Sequence, residues 1–270
     1  MDFCVSDIHG QGELFEFGLN KIGFDKDHDH LYIIGDAIDR GKDGIALLTK
    51  FMENPDTYTL IIGNHELMML NSIDPFDRLS LTGYCSALWT DYNGGDVTYN
   101  RFRRLTDLKR MEILEFLKSC PVSKTVITKD SKGVDHPYIL THTAYDAKMN
   151  DMSYDEAVKA FGLDAVESHV WRSVYRKGDT RGEDNYFEKV NGEPVLFITG
   201  HIPVQTARLS MHHGKKYGDF SPLFIENRMM DIDGGAAWGK QKGVKNGLIF
   251  YNMTKPKPLP VSFLEMGKKA

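Results

Sequence analysis

The chain predicts an α/β fold of two sheets packed together, and three observations predict it. Apolar runs at 2–6, 31–34 and 58–62 each end in polar residues and lead into a helical pattern, so a strand–loop–helix rhythm repeats three times. Later runs at 195–199, 223–225, 229–232, 248–251 and 261–264 supply a second, mixed sheet. The length, 270 residues, suits one large domain over 1–270 with a sizeable core.

The elements follow in order. After residues 2–6, Leu14, Phe17 and Ile22 fall at core positions of a helix over 13–22. Ile45, Leu47, Leu48 and Phe51 place a helix after the second strand, stopping near Asn54-Pro55. The third strand leads into a helix over 66–70. Residues 74–105 carry Phe76, Tyr84, Trp89, Tyr92, Tyr99 and Phe102 around an Asn93-Gly94-Gly95 turn. That stretch reads as a partly helical insertion over the face where the strand-end loops gather. Leu108, Met111, Ile113, Leu114 and Leu117 give an amphipathic helix over 107–118, ending before Pro121. Strands at 122–128 and 138–141 flank a turn at 130–133, and 153–190 reads as helical and polar. The proline-rich stretch from Lys255 to Pro260 reads as a short extended connector.

Composition narrows the function. Lys plus Arg is 33 and Asp plus Glu is 38, a net charge of −5, which argues against stable nucleic-acid binding. No apolar run reaches membrane-spanning length, and the N-terminal residues show no signal-peptide pattern. Three widely spaced cysteines, Cys4, Cys85 and Cys120, read as reduced thiols. The expectation is a soluble cytoplasmic protein with no membrane partner; the oligomeric state is open.

Four separated segments carry the chemistry: Ser6-Asp7-Ile8-His9-Gly10, Gly35-Asp36-Ala37-Ile38-Asp39-Arg40-Gly41, Gly63-Asn64-His65-Glu66 and Thr199-Gly200-His201. Each puts metal-ligand side chains just after an apolar run. Asp7 and His9 reach one ion if Ile8 points away, as strand alternation provides. Asp36 offers two oxygens to bridge two ions, and Asn64 a neutral carbonyl. His142 and His201, after later apolar runs, complete the second ion. The expected sets are Asp7, His9 and Asp36 on one ion, and Asp36, Asn64, His142 and His201 on the other. Imidazole with carboxylate suits two divalent ions of the borderline class, manganese first, with iron or zinc as alternatives. Two such ions roughly 3.5–4 Å apart would hold a bridging hydroxide and polarise a phosphoryl oxygen.

Their companions follow from position. His65, beside Asn64 but pointing elsewhere, suits a general acid, and Asp39 suits its hydrogen-bond partner. Arg40 and Arg172 are the expected phosphate clamps. Glu66 reads as a structural anchor. Asp233 reads either as a partner of a ligand histidine or as a turn residue.

These motifs resemble the phosphoprotein phosphatase family of calcineurin-like metallophosphoesterases. Trp89-x-x-Tyr92-Asn93-Gly94-Gly95-x-x-Thr98 and Ile232-Asp233-Gly234-Gly235-Ala236 are similar to its bacterial and phage branch, which holds small Ser/Thr phosphatases and symmetrical dinucleoside tetraphosphate hydrolases. The resemblance implies a four-layer α/β/β/α sandwich and the metal and acid roles assigned above. It implies a Ser/Thr-type protein phosphatase acting on phosphorylated protein or small phosphoesters. The alternative is a dinucleoside polyphosphate hydrolase, in which Trp89, Tyr92 or Tyr84 would stack a base instead of packing in the core. A non-catalytic phosphate-binding module is the more distant alternative. One departure bears on this choice: protein phosphatases of the family commonly have Arg directly before Gly-Asn-His-Glu, and this chain has Ile62.

Overall fold

Strand β1 (Asp2–Ser6) is buried along all but its first residue, which suits the middle of a sheet covered on both faces. It pairs in parallel with β2 (His30–Ile34), and β2 with β3 (Tyr58–Ile61). On the other side, β11 (Gly247–Asn252) runs antiparallel to β1, and β12 (Lys257–Ser262) antiparallel to β11. The first sheet therefore has the order β12-β11-β1-β2-β3. This computed structural model describes residues 1–267 except 75, 76, 78, 83, 84, 173–188, 191, 211–219, 226, 227, 242 and 243.

The second sheet has the order β4-β5-β8-β10-β9. Its members are β4 (Ser123–Lys129), β5 (Asp135–Thr141), β8 (Leu196–Thr199), β9 (Leu223–Ile225) and β10 (Met229–Asp231). The inner three are parallel, and both edge strands are antiparallel to their neighbours. A small hairpin, β6 (Lys189–Val190) with β7 (Glu193–Pro194), precedes β8.

The sheets pack face to face, and alternation along the strands divides the core. Cys4, Ile34, Ile61, Ile249 and Tyr251 of the first sheet meet Val126, Tyr138, Leu140, Ile198 and Met230 of the second. Phe3, Val5, Leu31, Ile33 and Leu60 point the other way, to the helices. Those helices are α1 (Gly12–Ile22), α2 (Gly44–Glu53), α3 (Asn64–Ser72), α6 (Asp107–Ser119), α7 (Tyr154–Phe161) and α8 (Leu163–Trp171). The other helices among the described residues are α4 (Cys85–Ala87), α5 (Asp96–Phe102), α9 (Val204–Ser210), which packs against β9, and α10 (Phe263–Met266). Two mixed sheets flanked by helices make the expected α/β architecture, but the run at 248–251 and the start of that at 261–264, expected in the second sheet, lie in β11 and β12 of the first. No helix among the described residues is long and apolar enough to cross a membrane.

Several sequence expectations need correction. Helix α1 buries Leu14, Phe15 and Leu19, while Phe17 and Ile22 lie only partly covered. Helix α6 turns Leu108 (66% exposed) and Met111 (39%) to solvent. Its buried stripe is Arg110, Ile113, Leu114 and Leu117. The stretch from Lys255 is no connector: from Lys257 it forms β12, with Pro258 opposite Tyr251 and Pro260 opposite Ile249. Proline has no N–H to give, and β12 is an edge strand that tolerates the loss. The region 153–190 is not all helical, since β6 closes it. The insertion is partly helical as expected, through α4, a π-helical turn at Leu88–Tyr92 and α5. Phe76 and Tyr84 lie outside the described residues.

Candidate functional site

Three parallel strands bring their C-terminal ends to one edge, so the loops after β1, β2 and β3 meet. Backbone bonds join the first two loops: Asp7 N donates to Gly35 O (3.2 Å), His9 N to Asp36 O (2.9 Å) and Gly10 N to Ala37 O (2.8 Å). Glu66 locks the second loop to the third. Its carboxylate accepts from the backbone N–H groups of Asp36 (2.9 Å), Ala37 (2.8 Å), Ile38 (3.3 Å) and Gly63 (3.0 Å). Four bonds to main chain are what an anchor needs and leave little for chemistry.

The loops are held in unusual backbone. Asp7 (φ 51°), His9 (48°), Asp36 (53°), Asp39 (70°), Arg40 (65°) and His201 (75°) all occupy the left-handed region. Each non-glycine residue there costs on the order of 1–3 kcal/mol, which surrounding contacts must offset. Ile8 does point away, into the core. The cause is this tight turn and not the strand alternation inferred from sequence.

The structure brings all six expected ligands together. Asp36 Oδ2 lies 3.7 Å from His9 Nε2 and 3.4 Å from His142 Nε2. Asn64 Oδ1 lies 3.0 Å from His142 Nε2 and 2.9 Å from His201 Nδ1. Asp7 Oδ2 accepts from His201 N (2.9 Å), while its Oδ1 faces His9 Nε2 at 3.9 Å. The far nitrogens are tied down: His9 Nδ1 meets Ile38 O at 3.2 Å, and His142 Nδ1 meets Ile34 O at 3.0 Å. A ring held by its Nδ1 turns its Nε2 inward, where a cation would take the place of that nitrogen's proton.

The electrostatics suit cations. Burial pushes the Asp7 carboxyl up, and it pushes His201 down to about 3 and His9 well below its ordinary range. Burial also opposes the charge on Asp36, but the imidazoles of His142 and His65 outweigh it and hold that carboxyl low. Burial opposes a proton on His142 as well, yet the Asp36 and Asp7 carboxylates hold it up to about 10. Asp7 Oδ1 is buried with no hydrogen-bond partner. An orphaned carboxylate oxygen beside inward imidazole nitrogens fits a divalent cation. Among the described residues, two groups bring one ligand atom each to within 4.8 Å of one another, His9–Asp36–His65 and Asp36–His142–His201. They share Asp36.

His65 stands as close to Asp36 Oδ2 as His9 does, at 3.8 Å. Two contacts separate it from the ligands. Its Nδ1 pairs with Asp39 Oδ2 at 2.6 Å, and its Nε2 lies 3.4 Å from Arg40 Nη2. A guanidinium beside Nε2 disfavours another cation there. Burial opposes a proton on His65, but Asp36 and Asp39 outweigh it and raise its pKa. Arg40 is exposed, with its backbone N–H held by Gly94 O at 3.1 Å.

Arg172 caps the end of α8 and gives its Nη2 to Ser168 Oγ (2.8 Å). The preceding Trp171 stacks edge-on against His201, 6.1 Å between ring centres. Asp233 Oδ1 accepts from Gly235 N (2.8 Å), the turn role of the two weighed. Sequence reasoning missed the indole of Trp89, which donates from Nε1 to Asp39 Oδ2 (2.8 Å), and Thr98 Oγ1, which accepts from Asp39 N (3.0 Å). Both stand in the Trp-x-x-Tyr-Asn-Gly-Gly-x-x-Thr motif, where their spacing was visible but their partner was not.

Residues 3–222 match the calcineurin-like phosphoesterase family. The chain belongs to that family. The family uses divalent metals, and the two groups around Asp36 form a candidate metal site of this chain. Among curated relatives, serine/threonine-protein phosphatase 2 of Salmonella typhimurium is 28% identical over 202 residues, 75% of this chain and 79% of the relative. The symmetrical bis(5'-nucleosyl)-tetraphosphatase of Acidovorax sp. is 40% identical over 68 residues, 25% of this chain and 24% of the relative. The chain thus aligns with about a quarter of that tetraphosphatase's length. A solved protein serine/threonine phosphatase from Saccharomyces cerevisiae superposes with a TM-score of 0.56 at 15% identity, over 92% of this chain and 71% of that one. At that identity the likeness shows the fold alone.

Proposed function

We propose that the protein is a two-metal phosphoesterase that hydrolyses phosphate monoesters, of the Ser/Thr protein phosphatase type. One observation carries the reading: Asp36 Oδ2 lies within 3.4–3.8 Å of imidazole nitrogens from His9, His65 and His142. Asp7, His9 and Asp36 would hold one cation, and Asp36, Asn64, His142 and His201 the other, manganese being the first choice and iron or zinc the alternatives. Bound there, divalent cations supply Lewis-acid polarisation of a phosphoryl oxygen and lower the pKa of water from about 15.7 to about 7.

The chain's own residues do the rest. Arg40, exposed beside the cluster, takes phosphate oxygens in its guanidinium fork. Arg172 is the second cation of the reading and would have to release Ser168 to turn toward a phosphate. His65, charged through Asp39, gives its Nε2 proton to the leaving alkoxide as the phosphorus–oxygen bond breaks and water adds to phosphorus. Alcohol and inorganic phosphate leave. The reading takes 1–270 as one domain, with the 74–105 insertion facing substrate. The unbridged Cys4 and Cys120 suit a reducing cytoplasm.

The second reading is a dinucleoside polyphosphate hydrolase, and two observations favour it. Ile62 is fully buried, so no cation can serve the site from that position. Tyr92, two residues before Gly94, is 81% exposed and open to a base. Trp89 is not, since it is buried with its indole N–H committed to Asp39. Purified protein with Mn²⁺ tests the pair: a phosphoserine peptide and diadenosine tetraphosphate are compared for turnover. Preference for the peptide supports the first reading and preference for the dinucleotide the second. No turnover of either, nor of p-nitrophenyl phosphate, with any divalent metal would leave a phosphate-binding module.

A further inference from the structure

We infer that Trp89 is a positioning residue for the proton donor, its indole N–H fixing the Asp39 carboxylate and, through it, His65. The inference rests on the acid role of His65 proposed above.

Asp39 has few side-chain restraints. Its Oδ2 receives both His65 Nδ1 (2.6 Å) and Trp89 Nε1 (2.8 Å), while its Oδ1 is buried without a partner. A carboxylate turns readily about its last torsion. Without the indole, only the bond to His65 opposes that rotation, and the imidazole would drift with it. With both donors on one oxygen, the Asp39–His65 vector is set.

Trp89 is itself immobilised. It is fully buried and sits in the π-helical turn Leu88–Tyr92, a geometry found often at functional sites. Gly95 lies flat against it: a Cβ there would stand 2.3 Å from the indole, and Gly95 N donates to Trp89 O (2.9 Å). The same segment holds the backbone on either side of the carboxylate. Thr98 Oγ1 takes Asp39 N, and Gly94 O takes Arg40 N. Asp39 and Arg40 both need this support because both have left-handed backbone. Residues 88–98 thus grip the acid's partner at three points, of which only the indole acts on the reacting side.

A merely structural tryptophan would affect all substrates alike. A positioning residue for the acid matters only where the leaving group needs a proton. Trp89→Phe keeps a buried ring and removes the donor. Its kcat on a phosphoserine peptide, whose alkoxide must be protonated, should fall about 10-fold, a part of the roughly 10²–10⁴ that a positioned acid supplies. Its kcat on p-nitrophenyl phosphate, whose phenolate leaves unaided, should stay within about 2-fold, with KM unchanged for both. Replacing Trp89 by benzothienylalanine, which keeps the bicyclic shape and lacks only the N–H, serves where Trp89→Phe does not fold. His65→Asn runs beside them. Selective loss in the Trp89 variant, absent when it is added to Asp39→Asn, supports the inference. Equal loss on both substrates, or none, while His65→Asn is selective, overturns it alone. A His65→Asn variant without selectivity removes the acid reading and the inference with it.

Discussion

Asp36 Oδ2 lies 3.4 Å from His142 Nε2, and the two residues come from different sheets. Asp36 follows β2 of the first sheet, and His142 follows β5 of the second. The inter-sheet core that holds both Ile34 and Leu140, with the bond from His142 Nδ1 to Ile34 O (3.0 Å), sets the distance between them. A site of this kind depends on how the two sheets dock as much as on any loop.

Sharing one carboxylate has a measurable consequence. Asp36→Asn should lower the content of both metals together, since both groups use that side chain. His201→Ala should lower one and spare the other. Elemental analysis of the dialysed proteins reads this directly. Full two-metal content in Asp36→Asn would contradict a shared ligand.

The proposed phosphate clamp makes a distinction between charge and shape. Arg40→Ala should cost about 10- to 100-fold in kcat/KM, and Arg40→Lys should recover only part, because an ammonium cannot bind two oxygens as a fork does. Steady-state kinetics on one phosphomonoester settle the order of the three proteins. Full recovery by Lys would reduce Arg40 to a point charge.

Gly200 leaves no room for a side chain. A Cβ there would sit 2.1 Å from Asp7 Oδ2 and 2.6 Å from Ser6 Oγ. Gly200→Ala should displace Asp7 and lower both metal content and turnover, with far-UV circular dichroism preserved. Gly133→Ala is the control: it is strained by its left-handed φ of 78° but meets nothing within 4 Å. It should cost about 1 kcal/mol of stability and no activity. Unaltered metal binding in Gly200→Ala would show that Asp7 can move without consequence.

Burial pushes His169 down to about 4. The unfolded chain titrates it near 6.5, so the folded state binds the proton less readily. Its stabilising contribution is complete above about pH 6.5 and is lost as pH falls from there toward 4, roughly 3 kcal/mol in all. Urea unfolding of metal-free protein should therefore decline more steeply between pH 7 and 4 for the wild type than for His169→Gln. Parallel declines would exclude His169 as a source of acid sensitivity.

Much of the site was legible because a parallel sheet makes sequence order predict place. Successive strands lie side by side, so ligands at their ends must meet, and Asp7, Asp36 and Asn64 do. What stayed hidden depended on local backbone or on distant partners. Gly10 marks that the chain turns there, but the left-handed backbone of Asp7 and His9 themselves falls on residues that do not announce it. Trp89 carries no mark that its N–H, and not only its ring, is used. In α6 the helical stripe misled because Arg110 occupies an inward position. Its Nη1 donates to the carbonyls of Leu105 and Arg103 and its Nη2 faces Asp107, so the inward position is taken by a charged side chain and Leu108 and Met111 are turned outward. Pro258 and Pro260 resemble a linker until β12 is known to be an edge.

The most direct test is an anomalous difference map from crystals grown with Mn²⁺. The account predicts two peaks roughly 3.5–4 Å apart, both in reach of Asp36, with Asp7 and His9 on one side and Asn64, His142 and His201 on the other. A single peak, or two peaks that do not share Asp36, would contradict it.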